Sequence, residues 1–193
     1  MKKYKYAFVL AILLAACAND SENETAPAPI DEPETMETSS KGERSEITVI
    51  LINQDSETIG KAALTETGKG VAISIEAEGL PPGAHGFHIH EYGICQPEKK
   101  FETAGAHFNP FNKEHGTLNP KGPHAGDLPN LIVQNDGTVA DKIAADLVTL
   151  KKGEKNSLIE NGGTALIIHA DPDDYKTDPA GNAGERIACG IIK

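Results

Sequence analysis

The chain is poor in positive charge, with 18 lysines and arginines against 29 aspartates and glutamates. A nucleic-acid-binding protein would need a basic face, so that class is excluded. It has only three cysteines, Cys17, Cys95 and Cys189, too few for a disulfide scaffold. The one long apolar run, Ala7-Phe8-Val9-Leu10-Ala11-Ile12-Leu13-Leu14, is too short to cross a bilayer as a helix. There is no convincing 12-residue amphipathic helix, which removes the helical bundles. From Ala18 to about Ser45 almost no apolar residue is larger than alanine, Ile30 and Met36 apart, so that stretch has nothing to form a core with.

What is present begins with an address. Lys2, Lys3 and Lys5 precede the apolar run, as in the charged and hydrophobic regions of a secretory signal. The run ends in Leu14-Ala15-Ala16-Cys17, which resembles the bacterial lipobox, whose cysteine is acylated and becomes the new N-terminus. An ordinary signal peptide with a coincidental cysteine is the plainer alternative. The expectation is a signal over 1–17, a disordered acidic tether over 18–45 and one domain over 46–193. The protein would then be extracytoplasmic and lipid-anchored to the membrane of a bacterial cell envelope. More than one acyl chain would hold it there stably, where a single chain binds only marginally.

Export leaves Cys95 and Cys189 as one pair, and a disulfide is the default outside the cytoplasm. Two free buried thiols are the alternative. In the chain-entropy account a bridge over so long a loop is worth about 4–5 kcal/mol. The formal charge of −11 becomes −14 once Lys2, Lys3 and Lys5 leave with the signal. Half of that lies in residues 18–46, and −7 remains on 47–193.

Within 46–193 the pattern is short strands between turns. Ile47–Asn53, Thr58–Thr65 and Gly70–Glu78 lead, the last alternating Val71, Ile73 and Ile75 with small or polar partners. Gly86–His90 follows. Asn130–Gln134 and Thr138–Ile143 flank Asn135-Asp136-Gly137, a hairpin signal. Ala144–Leu150, Ala165–Ala170 and Arg186–Ile192 complete roughly eight strands. The predicted class is all-β, an antiparallel barrel or sandwich with two long loops near 91–129 and 170–185. Loops of that length in a small domain usually carry function.

Histidine supplies the chemistry. His88 and His90, two apart on a strand, face the same side and suit one ion, though such pairs also arise by chance. The first long loop adds His107, His115, His124 and Asp127, three imidazoles and a carboxylate, the complement of a tetrahedral zinc site. Solvated loop histidines are the bland alternative, weakened because almost every histidine in the chain belongs to the pattern. His169 ends an apolar strand, where a core histidine is the usual reading.

Gly86-Phe87-His88-Ile89-His90, Gly105-Ala106-His107-Phe108-Asn109-Pro110, His115-Gly116, His124-Ala125-Gly126-Asp127-Leu128, Ile168-His169-Ala170 and Gly181-Asn182-Ala183-Gly184-Glu185-Arg186-Ile187-Ala188-Cys189-Gly190 resemble successive blocks of the copper–zinc superoxide dismutases. The likeness covers 47–193, with intervals of eight, nine and three residues from His107 through His115 and His124 to Asp127. It implies an eight-stranded Greek-key barrel and an enzyme that disproportionates superoxide, with one copper and one zinc per subunit. By position, His88, His90, His107 and His169 match copper ligands. His107, His115, His124 and Asp127 match zinc ligands, which makes His107 the bridge and a catalytic proton carrier. Asp173 matches an aspartate that hydrogen-bonds His88 and His115; loop solvation is its alternative, with Asp174 beside it. Arg186 matches the arginine that docks the superoxide anion. Cys95 and Cys189 would tie the loop to the strand bearing Arg186. His85 resembles a structural histidine bonded to backbone.

The chain departs from some members in one respect. Asp178-Pro179-Ala180 stands before Gly181 where they place a lysine, and the nearest lysine is Lys176. The resemblance leaves a homodimer open, since members occur as dimers and as monomers. An exported copper and zinc buffer on the same fold is the rival function.

Overall fold

A computed structural model describes residues 46–193; the signal, Cys17 and the tether lie outside the described residues. Nine strands follow in order: β1 Glu46–Asn53, β2 Thr58–Thr67, β3 Gly70–Ala77, β4 Gly83–His85, β5 Phe87–His90, β6 Leu131–Val133, β7 Val139–Ala145, β8 Thr164–His169 and β9 Arg186–Ile192. Seven form one antiparallel sheet in the order β5-β8-β9-β1-β2-β3-β7, and β4 pairs with β6 separately. The helical content of the described residues is two single 3₁₀ turns, Pro97–Lys99 and Glu102–Ala104. The class is all-β, a curled antiparallel half-barrel.

Alternation sets the inner face. Val49 and Leu51 of β1, and Val71, Ile73 and Ile75 of β3, turn into one core, while Ile50 points outward. A one-residue slip would expose that whole set, so apolar burial fixes the register. β5 and β8 differ from β1 and β3, because every residue in them is buried. Phe87, Ile89, Leu166 and Ile168 join the main core on one face. On the other face Ala165, Ile167 and Cys189 pack with Phe101 and Ala104 from the first long loop, in a second small core. The long loop therefore acts as a cover for that end of the sheet.

Two details depart from the sequence expectation. Ala144–Leu150 is not a strand of its own: β7 takes up Ala144 and Ala145, and the chain then turns at Asp146. A third long connection, 146–163, follows. Val148, Leu150 and Leu158 bury themselves in the core, and Glu66 takes bonds from Leu150 N–H (2.6 Å) and the Thr149 hydroxyl (3.0 Å). The short strand β4 was also not foreseen, because three residues, Gly-Ala-His, carry no periodicity.

Candidate metal centre

β5 aims His88 and His90 away from the core that Phe87 and Ile89 fill. Between β8 and β9 the register slips by one residue after Ile168, so Ile187 has no partner and Arg186 lands opposite His169. Bulges of this kind re-aim side chains beside functional sites. Gly105, at φ 77°, turns its carbonyl to accept from both His90 Nδ1 (2.9 Å) and Arg186 NH2 (2.7 Å). Phe101 O holds the other guanidinium nitrogen at 2.8 Å.

Six histidines and two aspartates converge. One ring nitrogen from each of His88, His90, His107 and His169 forms a first cluster. His90 donates its Nδ1–H to Gly105, and His169 donates its own to Gly184 O (3.1 Å), so both keep lone pairs on Nε2. Those two Nε2 atoms face each other at 3.3 Å with no proton of their own to share. His88 Nδ1 and His107 Nε2 are buried without a hydrogen-bond partner. Buried polar atoms are nearly always satisfied, and four imidazole nitrogens turned on one point fit a soft-to-borderline cation such as copper.

The second cluster is His107, His115, His124 and Asp127. Asp127 Oδ1 stands 2.8 Å from His107 Nδ1, 3.1 Å from His115 Nδ1 and 3.2 Å from His124 Nδ1. Its other oxygen accepts the backbone N–H groups of Gly116 and His124, both at 2.9 Å, which holds the carboxylate in place. Three nitrogens and one oxygen fit zinc. Asp173 joins the clusters, with Oδ2 on His88 Nε2 and Oδ1 on His115 Nε2, each at 2.9 Å. Gly181, at φ 65°, leaves the room for this, because a Cβ there would strike Asp173 and His115. Asp174 has a different task, taking the N–H groups of Lys176 and Thr177 and the Thr177 hydroxyl to organise its own loop.

Burial and charge poise the two clusters differently. Burial first, then neighbouring histidines, lower His107 to about 4; burial and His88 lower His169 to about 3. His90 is pushed well down by burial, with His107 and Arg186 adding to it. Burial also opposes charge on His115, yet the carboxylates of Asp127 and Asp173 on either side of the ring prevail and raise it to about 9. Burial would raise Asp127 and Asp173, but their histidine partners hold both well below the usual carboxylate range.

The other sequence candidates have clear positions. Cys95 and Cys189 are disulfide-bonded, Cα atoms 5.8 Å apart, under the second core. Both ring nitrogens of His85 face carbonyls, those of His169 and Pro81, each at 2.7 Å. Arg186 lines a cavity of about 420 Å³ with His90, His107 and His169. Sequence reasoning missed three positioning residues. Asn130 exchanges two 2.9 Å bonds with the Asp173 backbone, Tyr175 OH accepts Asn130 N–H (2.8 Å), and Asp178 accepts His115 N–H (2.7 Å). These act across 43 to 63 residues, and no local pattern announces them.

The family model described as copper/zinc superoxide dismutase matches residues 58–192. "Superoxide dismutase [Cu-Zn] 2" of Aquifex aeolicus is 60% identical over 144 residues, 74% of this chain and 84% of that protein. "Superoxide dismutase-like protein YojM" of Bacillus subtilis is 42% identical over 195 residues, 100% of this chain and 96% of that one. A crystal structure of a SOD-like protein from Bacillus subtilis superposes with TM-score 0.73 and 46% identity, covering 76% of this chain and 97% of the other.

Proposed function

The chain belongs to the copper/zinc superoxide dismutase family, and from that premise we propose that it disproportionates superoxide to dioxygen and hydrogen peroxide, with His88, His90, His107 and His169 holding copper and His107, His115, His124 and Asp127 holding zinc. One relative is named only as dismutase-like, so likeness of the chain does not decide activity and the residues must. The observation that carries the reading is His107, which belongs to both clusters: Nδ1 on Asp127 Oδ1, and Nε2 buried and unpartnered toward His88, His90 and His169. A buffer has no use for a shared imidazole or for an arginine fixed at the cavity beside it.

Bound copper would supply one-electron redox chemistry, and zinc a fixed charge without any. The chain's own residues do the rest. Arg186, locked by the carbonyls of Phe101 and Gly105, offers a fixed cation to a small anion entering the cavity. His107 Nε2 would be the site where a proton is taken up and given to departing peroxide, because its other nitrogen is turned to the zinc-side cluster beside Asp127. Asp173 keeps His88 and His115 in register with each other. Second-rank partners of this kind orient the ligating rings and raise their basicity. Copper- and zinc-loaded protein should remove superoxide, and His88→Ala or His169→Ala should lower the rate by more than about 100-fold while zinc stays bound. An inactive protein carrying one copper and one zinc would overturn the assignment.

The domain over 46–193 would hang from the envelope by an acidic tether, 18–45, after removal of a signal ending at Cys17. The lipobox-like Leu14-Ala15-Ala16-Cys17 and the Cys95–Cys189 disulfide, which suits an oxidising compartment, support this. Cys17→Ala should shift the protein from the membrane to the soluble fraction; unchanged membrane retention counts against the anchor.

A further inference from the structure

We propose that Glu102 sets the anion affinity of the Arg186 cavity, as a negative charge held at its mouth. The inference rests on the reading of Arg186 as the anion-docking group. Among the residues lining the cavity the two full charges are Arg186 and Glu102, and their side chains approach to 3.6 Å. Arg186 is nearly enclosed, at 14% exposed, whereas Glu102 is 70% exposed at the solvent end. An anion seated on the guanidinium is therefore within reach of that carboxylate.

The backbone keeps Glu102 there. It opens the 3₁₀ turn Glu102–Ala104, between Phe101 and Gly105, the two residues whose carbonyls grip the guanidinium. Phe101 is completely buried in the second core beside Cys189, so this turn cannot swing away from Arg186 without unpacking the core. Nearby positive charge does not compensate. Lys100 is engaged with Glu185 at 2.9 Å, and the segment before Gly181 carries Asp178 instead of a lysine. A cleft's attraction for an ion follows the charges lining it more than the total, and here the lining charges nearly cancel.

Glu102→Gln keeps the shape and removes the charge. In copper- and zinc-loaded protein at low ionic strength, azide titrated by absorbance should bind about two- to fivefold more tightly than to wild type, the factor expected of an exposed ion pair. The rate with superoxide should rise by a similar factor and fall with added salt. The same order should appear without metal, as a stronger chloride-dependent shift of the Arg186 guanidinium resonances. Glu78→Gln removes an equal exposed charge from outside the lining and should change none of these by more than about 1.5-fold. Equal azide affinity in wild type and Glu102→Gln, with Arg186→Gln weakened, would overturn the role of Glu102 and leave Arg186 standing. Equal gains in Glu102→Gln and Glu78→Gln would reduce the effect to net charge and overturn it too. Azide affinity unmoved by Arg186→Gln would remove the premise.

Discussion

The two clusters share His107 and differ by one carboxylate, and they poise His115 opposite to His90, His107 and His169. In the cluster of His88, His90, His107 and His169 no acid stands among the ligand atoms. Burial there outweighs the hydrogen bonds that oppose it, from Gly105, Asp127 and Gly184, so His90, His107 and His169 all release protons more readily than free imidazole. In the cluster of His107, His115, His124 and Asp127 the carboxylate sits at the centre, and His115 is pushed up to about 9. His90, His107 and His169 are ready at neutral pH with free lone pairs. The second cluster holds a proton that an arriving cation must displace, so loading it is coupled to proton release. Residue type alone does not distinguish the sites; the two carboxylates that flank His115 do.

The strongest way to break the contrast is through the residue that spans it. Asp173 bonds His88 on one side and His115 on the other, both at 2.9 Å and all three buried. Asp173→Asn keeps the shape but loses an acceptor and a charge. Partners of metal-bound histidines are typically worth 10–100-fold in affinity. The loss should fall on zinc, because His115 depends on Asp173 for its raised basicity whereas His90 and His169 lean on carbonyls. Competition with a chelator should therefore show zinc weakened by about 10–100-fold and copper by less. Equal weakening of the two would mean that Asp173 serves the clusters as one unit.

How much of this was legible differs between regions for a physical reason. Ligand spacing is local, and the structure gathers the same histidines and Asp127 that the intervals of the first long loop single out. Strands with one buried face, such as β3, announce themselves by alternation. β5 and β8 do not, because both faces are covered, and only their apolar content marks them. The remainder depends on pairs distant in sequence. Asn130 locks Asp173, Tyr175 locks Asn130, and Asp178 holds the His115 backbone, each an ordinary loop residue until the 171–185 segment folds over the zinc-side loop. The unpaired Ile187 that brings Arg186 opposite His169 is equally silent, since a bulge is a property of two strands together.

The contrast has a smaller consequence that pH can read in metal-free protein. His90, His107 and His169 have lowered folded values, the last two about 4 and about 3. Below about 6.5 the unfolded chain takes up protons on these three that the folded protein refuses, so stability must fall as pH drops from about 6.5 toward 4. His115 has the opposite sign. Its raised value contributes stabilisation that is complete below about 6.5 and is lost as pH rises through about 9. Thermal unfolding between pH 4 and 10 should thus show a plateau with two shoulders. The acid one is larger, because three groups share it, and the alkaline one is smaller, because it belongs to His115 alone. His169→Asn should flatten part of the acid shoulder and leave the alkaline one. His115→Asn should do the reverse. If His115→Asn left the alkaline decline intact, Asp127 and Asp173 would not be holding a proton on that ring, and the two clusters would be poised alike.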